Sequence, residues 1–119
     1  MIKQKKGRSE SQVKLAIQNL LDVYEKMGHL YWMRNNSGTV RLESGRWMRT
    51  GKAGSPDLIV CVRGGGFLGL EVKREKGGVL SDDQKKSRAM IRAIGGRYEV
   101  VQSTDDVLRV LSDYNIRFD

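Results

Sequence analysis

Two acidic residues and a lysine in the middle of this 119-residue chain have the types and spacing that suit phosphate chemistry. Asp57 follows Pro56, thirteen residues separate Asp57 from Glu71, and Lys73 comes two positions later. Two carboxylates at one strand end are typical ligands of a hard divalent cation such as Mg²⁺. Such an ion can polarise a phosphodiester and help to ionise an attacking water, while Lys73 orients or deprotonates that water. The three residues predict metal-assisted hydrolysis of a phosphodiester bond.

A glycine-turned hairpin is expected to bring these side chains together. The apolar runs 57–63 and 67–73 are joined by the glycines at 64–66, a pattern typical of two antiparallel strands. Both carboxylates then lie at the open end of the hairpin, away from the turn. Alternation along the second strand assigns one face to the core and places Glu71 and Lys73 together on the other face.

Three amphipathic helices flank this hairpin in the sequence, and each begins at a recognisable capping residue. Ser9 and Gln12 form a capping box for the first helix, and Ser81 and Gln84 form one for the second. Ser103 caps the third helix. Glycines that follow the first two periodic segments predict where those helices end.

The order of elements predicts the fold class. Strands are expected over 30–35 and 98–101, so the chain runs helix, strand, strand, strand, helix, strand, helix. That order is typical of an α/β domain with a mixed central sheet flanked by helices. The helix between the strands 67–73 and 98–101 is long enough for a crossover, so these two strands are predicted to be parallel neighbours.

Composition narrows the class of partner. Lys and Arg number 22 against 14 Asp and Glu, a formal charge of +8, which indicates a polyanion such as nucleic acid. The cations are spread over loops and several helices, and no apolar run could span a bilayer, which disfavours a membrane partner. With no signal peptide predicted, the expected location is the cytoplasm. Residues 1–8 are predicted to be a flexible basic lead-in to a single domain at 9–119, and Cys61 to be a core residue.

The segment 37–55 is the least regular part of the sequence. It contains four glycines, and it is interpreted as a mobile basic arm or loop in which 39–42 could form a short extra strand. Such loops are often merely solvated, but cations grouped around a tryptophan favour contact with phosphates and stacking on bases. The predicted DNA-binding residues of this loop are Arg41, Arg46, Trp47, Arg49 and Lys52.

Two other patterns do not predict cofactor sites. Gly64, Gly66 and Gly69 spell GxGxxG, but a strand follows them, so no helix N-terminus is available for a pyrophosphate. His29 is the only histidine and has no second His or nearby Cys with which to bind zinc. No small-molecule cofactor is expected.

The arrangement Pro56-Asp57 followed by Glu71-Val72-Lys73 resembles the PD-(D/E)XK nuclease superfamily. More closely, Gly54-Ser55-Pro56-Asp57-Leu58, Gly69-Leu70-Glu71-Val72-Lys73, and Ser81 with Gln84 resemble the VRR-NUC family, which occurs as stand-alone proteins in phages and bacteria. The resemblance covers nearly the whole chain from Ser9 onward. It implies a restriction-endonuclease-like fold, and for a phage-encoded chain it implies the cytoplasm of the host cell.

The resemblance also implies roles for particular residues. Glu10, Asp57 and Glu71 would be acidic ligands of Mg²⁺ or Mn²⁺, with the carbonyl of Val72 as a further ligand. Lys73 would be the catalytic lysine, and Gln84 a catalytic-site residue on the second helix.

Structural explanations remain open for each of these residues. Glu10 shares a helix face with apolar residues, which favours a ligand, but it could instead stabilise the helix dipole. Asp57 could be a turn residue, and Glu71 with Lys73 a surface ion pair. Gln84 is already explained by its capping box.

The function implied is a metal-dependent, structure-selective DNA endonuclease. The resemblance to stand-alone family members implies a homodimer that acts on branched DNA such as Holliday junctions. Paired cuts in such DNA need two sites related by a two-fold axis. Two alternatives stay open: a basic DNA-binding protein without catalysis, and a sequence-specific restriction-type endonuclease.

Overall fold

The computed structural model describes residues 7–117 and contains three helices and six strands within that range. In chain order they are α1 (Glu10–Lys26), β1 (Leu30–Arg34), β2 (Gly38–Arg41), β3 (Trp47–Thr50), β4 (Leu58–Val62), β5 (Phe67–Val72), α2 (Asp82–Ala93), β6 (Arg97–Val101) and α3 (Thr104–Ser112).

Four of the strands form a mixed sheet in the order β1, β4, β5, β6. β4 and β5 are antiparallel, with Leu58 opposite Leu70, as the hairpin prediction required. β5 and β6 are parallel, with Glu71 opposite Val100, which confirms the crossover through α2. The α/β class with a mixed sheet and flanking helices is therefore confirmed.

The core lies on one side of this sheet, where α1 and α3 pack against each other and against the strands. Alternate residues of the central strands point to this side, because successive side chains of a strand face opposite ways. The fully or almost fully buried core residues include Ile17, Leu21, Leu58, Val60, Leu68, Leu70, Val72, Val107 and Leu111.

Both predicted capping boxes are present. In α1 the Ser9 hydroxyl accepts from the backbone N–H of Gln12, whose side chain accepts from the Ser9 N–H. Ser81 and Gln84 do the same at the start of α2. Each box satisfies helix donors that have no partner inside the helix, so both helices start at fixed positions.

The prediction that the segment 37–55 is irregular apart from one short strand was wrong, because it contains two paired strands. β2 and β3 form an antiparallel hairpin in a separate two-stranded sheet, and the suggested extra strand lies within it at Gly38–Arg41. These eight strand residues bury almost no side chain, so the sequence lacks the alternation of apolar and polar residues that usually indicates a strand. Their regularity comes from backbone pairing across the hairpin.

The prediction that Cys61 is a core residue was also wrong, since its side chain is exposed. β4 alternates, and Leu58, Val60 and Val62 occupy its core face. Cys61 lies on the opposite face of the sheet.

Residues 1–6 of the predicted N-terminal lead-in lie outside the described residues, but Gly7 and Arg8 are within them. The Arg8 N–H donates to the Glu75 carboxylate at 2.7 Å, and the Glu75 N–H donates to the Arg8 carbonyl at 3.2 Å. The chain is thus held against the loop after β5 before α1 begins. In the part of the chain that the structure describes, no helix is long and apolar enough to cross a membrane.

Candidate active site

Glu71 is the centre of a polar cluster at the end of β5. Only 3% of its surface is exposed, and it is the only buried charged residue among those the structure describes. Tyr98 donates its hydroxyl hydrogen to Oε1 at 3.3 Å, and Gln84 donates from Nε2 to Oε2 at 3.0 Å. The sequence placed Glu71 on the face opposite the core, and that face is covered here by these two side chains. Glu71 is therefore not part of an exposed surface ion pair.

Lys73 and Gln84 are joined to this carboxylate. The Lys73 ammonium donates to Gln84 Oε1 at 3.0 Å and lies 3.6 Å from Glu71 Oε2. Gln84 Oε1 also accepts the Ser81 N–H of the capping box at 2.9 Å. The capping role and the site role of Gln84 are thus compatible, since one amide fixes the helix start and holds both charged residues.

Asp57 lies beside Glu71, as the hairpin register predicted. Its Oδ2 accepts the backbone N–H of Val72 at 2.9 Å, which fixes the carboxylate across the hairpin. Asn35 holds the segment from the other side, because its side chain donates to the Pro56 carbonyl at 2.9 Å and its N–H donates to the Asp57 carbonyl at 2.8 Å. The structural explanation of Asp57 as a free turn residue does not fit these contacts.

Two glycines let the Asp57 segment approach its neighbours this closely. A Cβ at Gly54, where φ is +79°, would lie 2.1 Å from the carbonyl oxygen of Asp83 in α2. A Cβ at Gly69 would lie 2.5 Å from the Pro56 ring. These positions fit only glycine without movement of the backbone or the proline. The glycines in the motifs therefore have a packing role.

The surroundings of Glu71 make its ionisation costly. Burial, followed by the negative charge of Asp57 and a hydrogen bond between the two carboxyl groups, raises the pKa of Glu71 to about 8, against the opposing effects of Lys73 and Tyr98. Burial and the Glu71 charge also raise the pKa of Tyr98. Carboxylates held together in this way are stabilised by a cation between them.

Sequence reasoning missed two members of the cluster. Tyr98 has no exposed surface, and its hydroxyl group lies 3.3 Å from Glu71 and 3.2 Å from the Gly54 carbonyl. Lys14 reaches from α1 to within 3.5 Å of Asp57 Oδ1. The only sequence signal for Tyr98 is a hydroxyl-bearing residue at an interior strand position. For Lys14 it is the position four residues after Glu10, on the same side of the helix.

Glu10 is not brought to the carboxylate pair. Its side chain is exposed at the start of α1, where it lines an open cleft together with Lys73. Across residues 7–117 no group of three or more His, Cys, Asp and Glu side chains is close enough to hold a metal ion. The pair of Asp57 and Glu71 nevertheless fits a hard divalent cation, because both supply carboxylate oxygens and their negative charges interact at the end of the hairpin.

The residues predicted to bind DNA lie on and beside the β2–β3 hairpin. Arg41 is opposite Trp47, and its guanidinium carbon lies 5.9 Å from the centre of the Trp47 ring. Arg49 lies opposite Thr39, on the same face of the hairpin as this pair. Val40 and Met48 occupy the other face. One face is therefore cationic and aromatic, and the other is apolar.

The two remaining residues of that prediction are not on the cationic face. Arg46 precedes β3, and its carbonyl accepts the Leu42 N–H at 2.8 Å to close the hairpin loop. Lys52 follows β3, and its carbonyl accepts from the Ser55 N–H and hydroxyl. Both side chains are exposed.

Comparison with known proteins identifies one matching domain family and solved structures of similar fold. The sequence profile of the VRR-NUC domain matches residues 11–105. No curated protein sequence matches the chain. A solved structure described as a VRR_NUC domain is similar with a TM-score of 0.63 and 23% identity, over 90% of this chain and 98% of that one. A second, described as a VRR_NUC domain protein, has a TM-score of 0.63 and 22% identity, over 92% and 89% of the two chains. At these identities the structures show a shared fold.

Proposed function

The chain belongs to the VRR-NUC family of nuclease domains, and on that premise we propose that it is a metal-dependent endonuclease that hydrolyses phosphodiester bonds of DNA. The observation that carries the proposal is the cluster at the end of β5, in which Asp57, Glu71 and Lys73 are held by hydrogen bonds with residues of β5, α2 and β6. A surface ion pair would need none of these supports.

The proposed metal is Mg²⁺ or Mn²⁺, held by Asp57 and Glu71. Bound there, the ion would polarise a phosphodiester and lower the pKa of a water molecule. We also propose the carbonyl of Val72 as a ligand, because the N–H of the same residue already binds Asp57. We also propose Glu10 as an acidic ligand, because it lines the cleft that Lys73 also lines; its carboxylate would have to move toward Asp57 and Glu71 to share their metal ion.

The proposed roles of the remaining residues follow from their contacts. The Lys73 ammonium is restrained by Gln84 and Glu71, so its charge has a fixed position beside the carboxylates. A fixed charge of this kind stabilises negative charge that develops on a phosphate without further reorganisation. Gln84 acts as a positioning residue, since it binds Lys73 and Glu71 at the same time.

We propose that the protein binds DNA through the negative charge of the DNA phosphates and through the β2–β3 hairpin. Arg41, Arg49 and Trp47 lie on one face of the β2–β3 hairpin, with two cations for phosphates and an indole on which a base can stack. Arg46 and Lys52 would add charge at its two ends. Binding of this type weakens as salt concentration rises.

We further propose a homodimer that acts on branched DNA such as a Holliday junction. Paired cuts require two sites related by a two-fold axis. Apolar surface for association is present beside α2, where a groove of about 470 Å³ includes Phe67, Met90 and the 88% exposed Ile94. A monomer in sedimentation measurements, both with and without junction DNA, would contradict the homodimer.

The test of the activity is cleavage of labelled duplex, flap and four-way-junction DNA with Mn²⁺, Mg²⁺ or EDTA. We expect cutting that needs a divalent metal and is lost in Lys73→Ala. Lys26→Ala is the matched control, because Lys26 is exposed in the last turn of α1 and about 24 Å along the helix from Glu10. Binding of DNA without cutting under either metal would contradict the proposal, and cutting governed by sequence rather than branching would favour a restriction-type enzyme.

A further inference from the structure

A cationic cleft separates the start of α1 from the loop that follows β5. It has a volume of about 1100 Å³ and is open to solvent. Four cationic residues and one acidic residue line it: Arg8, Lys73, Arg74, Lys76 and Glu10. None of these cations except Lys73 belongs to the cluster around Glu71, so the cleft is a feature distinct from the carboxylate site that it adjoins.

The acidic residue of the loop is directed away from this cleft. Glu75 is flanked in sequence by Arg74 and Lys76, yet it lines a neighbouring smaller cavity and not the cleft. Its carboxylate accepts the N–H of Arg8 at 2.7 Å. Within this loop, Arg74 and Lys76 thus line the cleft while Glu75 lines the smaller cavity, which Arg8 borders as well, and positive charge predominates in the cleft.

The cations of the cleft differ in how they are used by the fold. Arg74 donates to the Gly77 carbonyl at 3.2 Å and so stabilises the turn of its own loop. Arg8 and Lys76 have no hydrogen bond or ion pair from their side chains to any residue within 7–117. These two cations, which lie beside Lys73 and have no side-chain partner in the described part of the chain, are available to a bound anion.

We propose that this cleft binds the phosphate backbone of the DNA strand next to the bond that is cut, with Arg8 and Lys76 each binding a phosphate. The inference rests on the proposed function and adds a second DNA-binding surface to the hairpin. A polyanion fits the cleft better than a small anion does. The cleft is open to solvent, and its cations are distributed over two separate segments of the chain, residues 7–12 and 73–79. Lys73 joins the two regions, since it lines the cleft and contacts Glu71.

The test is the salt dependence of DNA binding by the double variant Arg8→Gln with Lys76→Gln. The fold should tolerate both changes, because Arg8 is tied to Glu75 through its backbone. The matched control removes two exposed cations elsewhere, with Lys26→Gln in α1 and Arg117→Gln after α3. Binding is measured in EDTA, so the result does not depend on whether the DNA is cut.

We expect the slope of log K against log salt to fall by about 1.4 to 1.8 for the cleft variant, at roughly 0.7 to 0.9 for each phosphate that the protein no longer neutralises. If the two proteins bind equally at 1 M salt, the Kd of the variant should be about 25 to 60 times that of the wild type at 0.1 M salt. The control variant should keep most of the wild-type slope. Equal effects of the two double variants, or a wild-type protein that does not bind DNA, would overturn the inference.

A second measurement identifies which phosphates of the DNA are bound. A neutral methylphosphonate is moved one phosphate at a time along the strand on both sides of the cut. We expect one or two positions next to the cut to weaken binding by the wild type. They should have no further effect in the cleft variant, since its missing cations are the ones that bind those phosphates. Additive effects at every position would overturn the assignment.

The outcomes for the two proposals can be told apart. If the slope falls as expected but no metal supports cutting, the cleft is a DNA-binding surface and the nuclease proposal fails. If the wild-type protein cuts DNA with metal but the cleft variant keeps the wild-type salt slope of binding, the nuclease proposal stands and the cleft inference fails.

Discussion

The end of β5 and the β2–β3 hairpin are built in opposite ways, although both are proposed to contact DNA. Glu71, at 3% exposed, is bound by side chains from α2 and β6 and lies beside the carboxylate that precedes β4. In the hairpin, Trp47 is 66% exposed and its described ring contact is with Arg41, on the paired strand. One region is positioned by the whole fold, and the other by its own backbone pairing.

This difference matches the demands of the two tasks. Catalysis requires charged groups to be fixed within fractions of an ångström, which needs rigid elements and supporting hydrogen bonds. Contact with a flexible polyanion needs exposed charge and a surface that can adapt. Substitutions in the two regions should therefore affect different properties, stability and site chemistry in one and DNA affinity in the other.

Gly54→Ala should cost the most stability. The added Cβ meets the backbone of Asp83 at 2.1 Å, and φ of +79° is unfavourable for alanine, so the free energy of unfolding should fall by about 3 kcal/mol or more. Gly45→Ala is the control, because Gly45 has φ of +85° in the hairpin loop with no atom within 4 Å of the added Cβ. It should cost only about 1 kcal/mol. Equal losses in chemical denaturation would show that α2 does not constrain the Asp57 segment.

Trp47→Ala should weaken DNA binding while leaving stability almost unchanged. Because Trp47 is largely exposed, the free energy of unfolding should change by less than about 0.5 kcal/mol. DNA affinity should fall by about 1 to 3 kcal/mol if a base stacks on the indole. Tyr31→Ala is the matched control, an aromatic residue of 65% exposure on β1. Fluorescence anisotropy with labelled DNA measures the affinity of both variants, and chemical denaturation measures their stability. A similar loss of affinity in the two variants would contradict a special role of the hairpin in DNA binding.

Metal binding should depend on pH through Glu71. Its pKa of about 8 in the folded, metal-free protein lies above the ordinary value of a glutamate, so the metal must displace a proton below pH 8. The apparent affinity for Mn²⁺ should therefore weaken roughly tenfold between pH 8 and pH 6.5. Isothermal titration in two buffers of different ionisation enthalpy would detect the released proton. No proton release at pH 7 would contradict the raised pKa.

The same pKa has a consequence for the stability of the metal-free protein. A carboxyl group whose folded-state pKa is raised binds its proton more tightly in the folded than in the unfolded state. The stabilisation by this proton is complete below the unfolded-state pKa and is lost as pH rises through about 8. Added metal should offset the loss, so stabilisation by Mn²⁺ should be larger at pH 8.5 than at pH 6.5.

Tyr98→Phe should have the smallest effect. It removes the hydroxyl shared by Glu71 and the Gly54 carbonyl, at a cost of about 1 kcal/mol in stability. Because that hydrogen bond lowers the pKa of Glu71, its loss should raise the pKa further. Carboxyl carbon NMR of the metal-free protein measures this directly, with the exposed Tyr31→Phe as control. An unchanged Glu71 titration would mean that Tyr98 is only a packing residue.

Much of this molecule could be predicted from local sequence patterns. The hairpin that carries Asp57 and Glu71, both capping boxes and the parallel pairing of β5 with β6 follow from apolar alternation, glycine turns and capping residues. These features depend on residues a few positions apart or on one crossover helix, and the sequence displays them directly. The family of nuclease domains was also recognisable from the motif residues.

Other features depended on which elements cover which faces, and this only the tertiary structure decided. Cys61 and Glu71 both lie on the sheet face opposite the core, yet one is exposed and the other is buried by α2 and Tyr98. Alternation assigns side chains to faces, but it cannot say where along the strand a helix packs, because that depends on the crossover path and on close contacts such as Gly54 against Asp83. For the same reason the side chains of Lys14 and Tyr98, distant in sequence, could be placed at the site only by the fold.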